Sequence, residues 1–368
     1  MTARRMPAGR TSAHRTFTRS DLVVIGGSAL ATAGAAATHL LAAGPVFAFL
    51  CSAVAVGLLA SLVGRSVEQL GDRFGAGATG VLQSALGNLP ELFIALFALK
   101  AGLVAVVQAA LIGSILANLL LVMGLAFVVG GVKHGSQKLD SRRARATIVL
   151  MVLSVVAMVL PSLAFYVHAP AAGHEDALSM IVSVVLLALF VLTLPASLRR
   201  DRSEAAMPAM QHAPPRWPLA LAVGMLAGTS VLAALVSDWF VDALEPAMSA
   251  LRISEAFAGL VIVAIAGNAV ENVVGIQLAA AGRSEYAFSV VINSPLQIAL
   301  VLAPVLVLAS HLLGFAPLTL VFPPMLVVSV ALAVVISAFI TFDGESNWIE
   351  GAALVAVYAI IAAAFWWG

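Results

Sequence analysis

Two glutamates sit where a charge is hardest to keep. Glu91 closes Gly87-Asn88-Leu89-Pro90-Glu91 inside the apolar run 81–99, and Glu271 closes Gly267-Asn268-Ala269-Val270-Glu271 inside the run 259–281. Each run is long enough to cross most or all of a hydrocarbon layer ~30 Å thick. A charged side chain at that depth costs roughly 3 kcal/mol or more, so it must be paired, discharged or used. No Lys or Arg lies in the middle of either run. Asn88 and Asn268 each precede their glutamate by three positions, which on a helix is the same face. Pro90 has no N–H and frees a carbonyl one turn back, and Gly87 lets other groups approach. Further oxygens follow in the next apolar runs: Ser114 and Asn118 in one, Ser294 and Gln297 beside Pro295 in the other.

Carboxylate, amide, hydroxyl and freed carbonyl oxygens make a site for a hard cation. Ca²⁺ takes 6–8 such ligands in flexible geometry, with Glu91 and Glu271 as the metal-binding carboxylates. Zn²⁺ or Cu⁺ would call for His or Cys. The seven His lie in tails and expected loops or helix ends, and the single Cys51 excludes an intramolecular disulfide. Two carboxylates close together in low dielectric cannot both stay bare; either a divalent cation or protons must neutralise them. An empty, doubly charged site resists dehydration, whereas a loaded or protonated one can cross. Coupled exchange follows, cation one way and protons back, with Ca²⁺ and H⁺ as transported partners and no cofactor. Interhelical hydrogen bonding accounts for Asn118 and Gln297 as well as ion binding does.

The two motifs are related. Their offset is 180 residues, and the same offset aligns Gly102 with Gly282, Ile112 with Ile292, Ser114 with Ser294 and Leu116 with Leu296, without a gap. Paired halves, each with one membrane-buried acid, are the pattern of a repeat-built transporter.

The chain must hold these motifs in a bilayer. Of its 368 residues 62% are hydrophobic and 10% charged, with mean hydropathy +1.06, more apolar sequence than any soluble core uses. No basic stripe with interleaved aromatics suggests nucleic acid. Residues 1–21 form a polar, Arg-rich tail. Apolar runs follow at about 22–43, 46–70, 77–100, 103–131, 145–167, 177–198, 217–241, 255–281, 286–313, 318–341 and 348–367, punctuated by Gly and Pro. The expected fold is therefore all-α and polytopic, with eleven transmembrane helices.

Orientation follows from Lys and Arg. With the N-terminus inside, seventeen of the nineteen basic residues fall in inner loops; only Lys100 and Arg252 fall outside. The N-terminus is thus cytoplasmic and the C-terminus outside. The acids sit in spans three and eight, so spans two to six (46–198) and seven to eleven (217–368) are the repeats. Helix 22–43 is extra, and the polar, Pro-bearing segment 199–216 links the halves. Five is odd, so the second repeat is inverted and brings Glu271 back to Glu91 at the midplane. Glu68 and Asp72 at the inner end of span two, and Asp238 and Asp242 at the outer end of span seven, can concentrate cations at the two mouths.

These stretches resemble the calcium/proton antiporter (CAX) family of the cation/calcium exchanger superfamily. GNLPELFIALFALKAG with VVQAALIGSILANLLLVMG resembles its first signature repeat, and GNAVENVVGIQLAAAG with INSPLQIALVLAPVLVL its second. SVEQLGDRFG, VSDWF, LRISEAFAGLV and DGESNWIEG also fit. The resemblance implies one extra helix plus two inverted fives, alternating access, and Ca²⁺ expelled against proton entry across a bacterial-type plasma membrane. It implies Glu91 and Glu271 as the cation and proton carboxylates, completed by Asn88, Asn268, Ser114, Ser294 and Gln297, with Glu68 on the cytoplasmic path. Pro90, Asn272, Asn293 and Pro295 depart from the family pattern, and Leu89-Pro90-Glu91 is the form found in sodium/calcium exchangers.

The alternatives are a sodium/calcium or broader cation exchanger on the same fold and, more remotely, an intramembrane hydrolase using two carboxylates. Symmetric repeats speak against the hydrolase. The chain has no GxxxxGK[ST] motif to support ATP drive.

Overall fold

The computed structural model describes residues 16–74, 86–139, 141–204, 216–341 and 344–367. Most of the tail, the start of the third apolar run and the middle of the linker therefore lie outside the described residues. The helices are α1 (Arg19–Leu40), α2 (Pro45–Phe74), α3 (Leu89–Lys100), α4 (Val104–His134), α5 (Ser141–Tyr166), α6 (Glu175–Glu204), α7 (Leu219–Leu251), α8 (Glu255–Gly267), α9 (Ala269–Ala280), α10 (Ser284–Leu313), α11 (Pro324–Thr341) and α12 (Trp348–Ala364). Among the described residues seven helices are long and apolar enough to cross a membrane, eight if α8 and α9, bent by 62° at their junction, count as one span.

Two departures from an all-α bundle of regular spans have local causes. A short antiparallel pair, β1 (Gln137–Lys138) with β2 (Glu345–Ser346), ties two loops together at one end of the bundle. The run expected to be helical from 318 stays non-helical until Pro324, because Pro323 and Pro324 cannot supply helical N–H donors. Side chains satisfy that stretch instead. Ser162 Oγ donates to the Leu320 carbonyl at 2.9 Å and accepts from the Phe322 N–H at 2.8 Å; Ser179 Oγ accepts from Leu320 N–H at 2.9 Å. Gln108 Nε2 donates to the carbonyls of Thr319 and Val321.

The 180-residue offset recurs in the backbone. Helices α3 and α9 are both 12 residues long and start at equivalent positions. Asn88 (φ −92°, ψ 16°) and Asn268 (φ −97°, ψ 22°) occupy the same non-helical turn before them. Gly102 and Gly282 both take positive φ, 82° and 75°, as the chain turns into the next helix. Helices α4 and α10 each widen into a π-helical stretch, Ala117–Val122 and Ile298–Leu302, a local irregularity common at functional sites.

Small residues let the central helices touch. A Cβ on Gly113 of α4 would lie 2.3 Å from the Leu260 carbonyl oxygen of α8, and one on Gly259 would lie 2.3 Å from that of Val106. Close backbone approach between small residues is how helices associate without a hydrophobic driving force. Gly113→Ala should therefore cost about 1–3 kcal/mol as the helices are forced apart, read as a lower melting temperature of the purified protein in detergent. An unchanged melting temperature would contradict this crossing.

Candidate functional site

The site forms where the turn before α9 meets α3 and the widened part of α4. Asn268, released from helical geometry by its turn, points its amide across the bundle. Its Nδ2 donates to Ser114 Oγ at 2.9 Å, to Glu91 Oε1 at 3.3 Å and back to the Ala264 carbonyl at 2.9 Å. Ser114 Oγ donates to the same Glu91 oxygen. Asn118, one turn beyond Ser114, sends its Nδ2 to the Ser114 carbonyl at 2.9 Å and, across the halves, to Asn268 Oδ1 and Ser294 Oγ, both at 3.1 Å. Ser294 Oγ in turn donates to Asn268 Oδ1 at 3.1 Å. All five residues are buried, Glu91 to 4% exposure.

Three oxygens in and beside this net have no protein partner: Glu91 Oε2, Asn118 Oδ1 and Asn272 Oδ1. A buried oxygen without a donor costs free energy, which a cation or a proton would relieve. Gly267 leaves room at the junction: a Cβ there would lie 3.2 Å from Glu91 Cγ, so that side chain would have to give by a few tenths of an ångström. Glu271, on the first turn of α9, is half-buried and close enough to Glu91 for their charges to interact. Past Glu91, a cavity of about 10 Å³ lies between α3, α4, α8 and α10, lined apart from that carboxylate by apolar side chains including Ile94, Val107 and Leu302. It holds about one water at most.

The predicted residues thus converge, but not in the predicted pairs. Asn88 and Glu91 were expected to share a helical face; the turn takes Asn88 out of register, and Glu91 meets Asn268 of the other half. Asn88 Nδ2 reaches Gln297 Oε1 at 3.5 Å, a long contact, with both residues half-buried. Asn118, which sequence alone left balanced between packing and binding, is the donor that joins Ser294 to Ser114. The signal for it was its i,i+4 spacing from Ser114. The mouth acids stay apart from this cluster: Glu68 and Asp242 are exposed and Asp238 is half-buried. The side chain of Asp72 lies outside the described residues. Among the described residues no three His, Cys, Asp or Glu side chains group to hold a metal, so oxygens of amides and hydroxyls must complete any cation site.

A helical membrane protein with one acid from each of two related halves, each on the first turn after a break in its helix, has the build of an ion exchanger. The chain matches the family model described as sodium/calcium exchanger protein over residues 44–198 and 221–367, and it belongs to that family. It is 35% identical over 344 residues to the Ca(2+)/H(+) antiporter of Aphanothece halophytica, covering 89% of this chain and 92% of that one. It is 36% identical over 326 residues to the Ca(2+)/H(+) antiporter ChaA of Bacillus subtilis, covering 87% and 91%. Its fold is similar to the solved structure of native YfkE (TM-score 0.79, 32% identity, 94% of this chain and 98% of that one). It is also similar in fold to an H+/Ca2+ exchanger CAX (TM-score 0.74, 16% identity, 95% and 92%). Membership of an exchanger family sets the hydrolase reading aside: the protein is an integral membrane transporter and not an enzyme.

Asn118→Ala removes the donor to three acceptors while leaving the surrounding helices unchanged. It should cost about 1–3 kcal/mol, seen as a lower melting temperature in detergent, and Asn118→Gln should not restore it because the donor would be displaced.

Proposed function

We propose that the protein is a secondary antiporter that exports Ca²⁺ in exchange for H⁺ by alternating access, across a bacterial-type plasma membrane. The observation that carries this reading is the Glu91 carboxylate, buried with one oxygen unpartnered, hydrogen-bonded to residues of both halves and within electrostatic reach of Glu271. With the site empty, two negative charges face each other in low dielectric, and their repulsion together with desolvation opposes closure. Ca²⁺ bound between them, or protons placed on them, removes that penalty. Only loaded states then cross, which couples the two fluxes. Ser114, Asn268 and Ser294 supply the neutral oxygens, with Asn118 holding them and Asn88 and Gln297 at the edge.

In this reading eleven spans form one extra helix plus two inverted repeats, 46–198 and 217–368, joined by the linker 199–216. The two short apolar helices α11 and α12, and α3 with the segment before it, complete the count begun by the eight candidates. Two family matches flanking the linker support the division. Loop contacts support the alternation of sides. β1 pairs with β2, and Ser284 Oγ donates to the Lys138 carbonyl, among segments assigned to the cytoplasm. Ser254 Oγ donates to the Phe365 carbonyl, and Ala316 N–H to that of Leu99, among segments assigned outside.

The two halves also differ in exposure, and we read the more exposed one as the open side. Ile94 of α3 is 1% exposed, while its counterpart Val274 of α9 is 37% exposed; Val273 is 53% exposed where its counterpart Phe93 is half-buried. Helix α3 packs closely along α7, whereas α9 meets α2 less extensively, with Gly57 facing Ala269 among the contacts. In this reading the open path runs along α9 past the exposed Gln277, toward the cytoplasmic end, and the opposite path is the one past the buried Ile94.

Inverted membrane vesicles with an imposed pH gradient test the function. ⁴⁵Ca²⁺ uptake should follow the pH gradient, collapse with a protonophore and fall to the level of empty vesicles in Glu91→Gln and in Glu271→Gln. Uptake driven by a Na⁺ gradient instead would favour the sodium/calcium reading. In a Cys51→Ser background, Gln277→Cys should react with a membrane-impermeant thiol reagent from the cytoplasmic side, and its counterpart Phe97→Cys should be protected from the outside. The reverse pattern would overturn the assigned opening.

A further inference from the structure

The cavity past Glu91 lies at a place whose equivalent in the other half is filled. Ala95 of α3, Leu111 of α4 and Leu302 of α10 are among the side chains that line it. The 180-residue offset maps these three onto Gly275 of α9, Val291 of α10 and Val122 of α4. The backbone follows the same correspondence, since Val122 and Leu302 each end their π-helical stretch. The second set is in close contact. A Cβ on Gly275 would lie 2.6 Å from Val291 Cγ2 and 3.4 Å from Val122 Cγ1. Three equivalent positions thus border a space of about 10 Å³ in one half and leave no room for a methyl group in the other.

Side-chain size cannot explain the difference, because it runs the wrong way. Alanine has one carbon more than glycine, and leucine one more than valine. At each of the three positions the larger residue borders the space and the smaller one makes the contact. All six are buried. The space therefore comes from how the helices are set, not from a shortage of side chain. A void forfeits the dispersion contacts of its lining, so it persists only where the surrounding helices are held apart by other packing. In a pair of inverted repeats, the packing that one half adopts with the site open to one side is the packing its twin adopts with the site open to the other.

We propose that the space beside Ala95 is the vacated counterpart of the Gly275 contact, closing when the site opens to the outside, and that Ala95, Leu111 and Leu302 oppose that closure by their bulk. The extra carbon at each position makes the first half harder to close than the second. The protein then rests open to the cytoplasm, the side from which an exporter collects its cargo, and the three residues set that balance without touching the ion. The inference rests on the antiport reading for its assignment of sides.

The test counts populations. In a Cys51→Ser, Phe97→Cys background, the rate of labelling from the outside by a membrane-impermeant thiol reagent follows the outward-open fraction, whichever ion is carried. Leu302→Val, which copies Val122, and Gly275→Ala, which crowds Val291, should each raise that rate severalfold. Val107 also lines the space. Val107→Ile adds one carbon there, about the size of the single water the space could hold. Combined with either variant, it should bring labelling back to the parental rate. Leu302→Val only trims one carbon from a buried side chain, so it serves as the test should Gly275→Ala fail to fold. Unchanged labelling in Leu302→Val overturns the proposal. So does a Val107→Ile protein that melts higher in detergent but leaves the raised labelling of Leu302→Val as it was, since the space would then be a packing defect. Uptake of ⁴⁵Ca²⁺ driven by a pH gradient in the Cys51→Ser parent reports on the antiport reading alone, so the two ideas fail separately.

Discussion

The amide of Asn118 and the amide of Asn268 hold the two halves of the molecule together at their most polar point. Each spends one N–H on a carbonyl of its own helix and turns the rest toward the opposite half. Individual hydrogen bonds between membrane helices are modest, about 0.6 kcal/mol on average. Their effect here is one of placement. They bring Ser114, Ser294 and Glu91 within reach of one point, and they need both the turn at Asn268 and the widened turn of α4 to do so. Gly113 and Gly259 let backbones approach closely enough for short side chains to span the gap, and Gly267 leaves room for the Glu91 side chain.

The arrangement separates two tasks that a transport site must combine. Neutral donors and acceptors give it a shape set by hydrogen bonds within the protein. The glutamates supply charge that something mobile must balance. Glu91 is tied into the net by one oxygen and left open by the other, while Glu271 is half-buried on the first turn of α9. The two acids, equivalent in sequence, are therefore unlike in their surroundings, and the proposed cycle needs such a difference in any state open to one side only.

Much of this was legible in the residues. The buried acids, the 180-residue offset, the Gly-Asn breaks and the need for neutral oxygens all follow from side-chain chemistry in a bilayer. The partnership of Asn268 with Glu91 did not, because spacing along a helix predicts neighbours within a segment and says nothing about contacts between segments. Asn118 was visible only as half of an i,i+4 pair. The strand pair at 137–138 and 345–346 is too short for any alternation pattern to register. The late start of α11 could have been read from Pro323 and Pro324, but apolar composition alone carried the expected span through them.

That late start has a bearing on how the molecule is made. Leu318, Leu320 and Phe322 are fully buried, yet the backbone between them is neither helix nor sheet, and it relies on Gln108, Ser162 and Ser179 for its hydrogen bonds. Such a strand is tolerated at membrane depth only when enclosed by protein. The helix after it has 18 residues, at the short end of what spans a bilayer. The ribosome delivers this segment last but two, after α4, α5 and α6 have already inserted. Those earlier helices act as its template, so the order of synthesis is also the order in which the polypeptide can be enclosed.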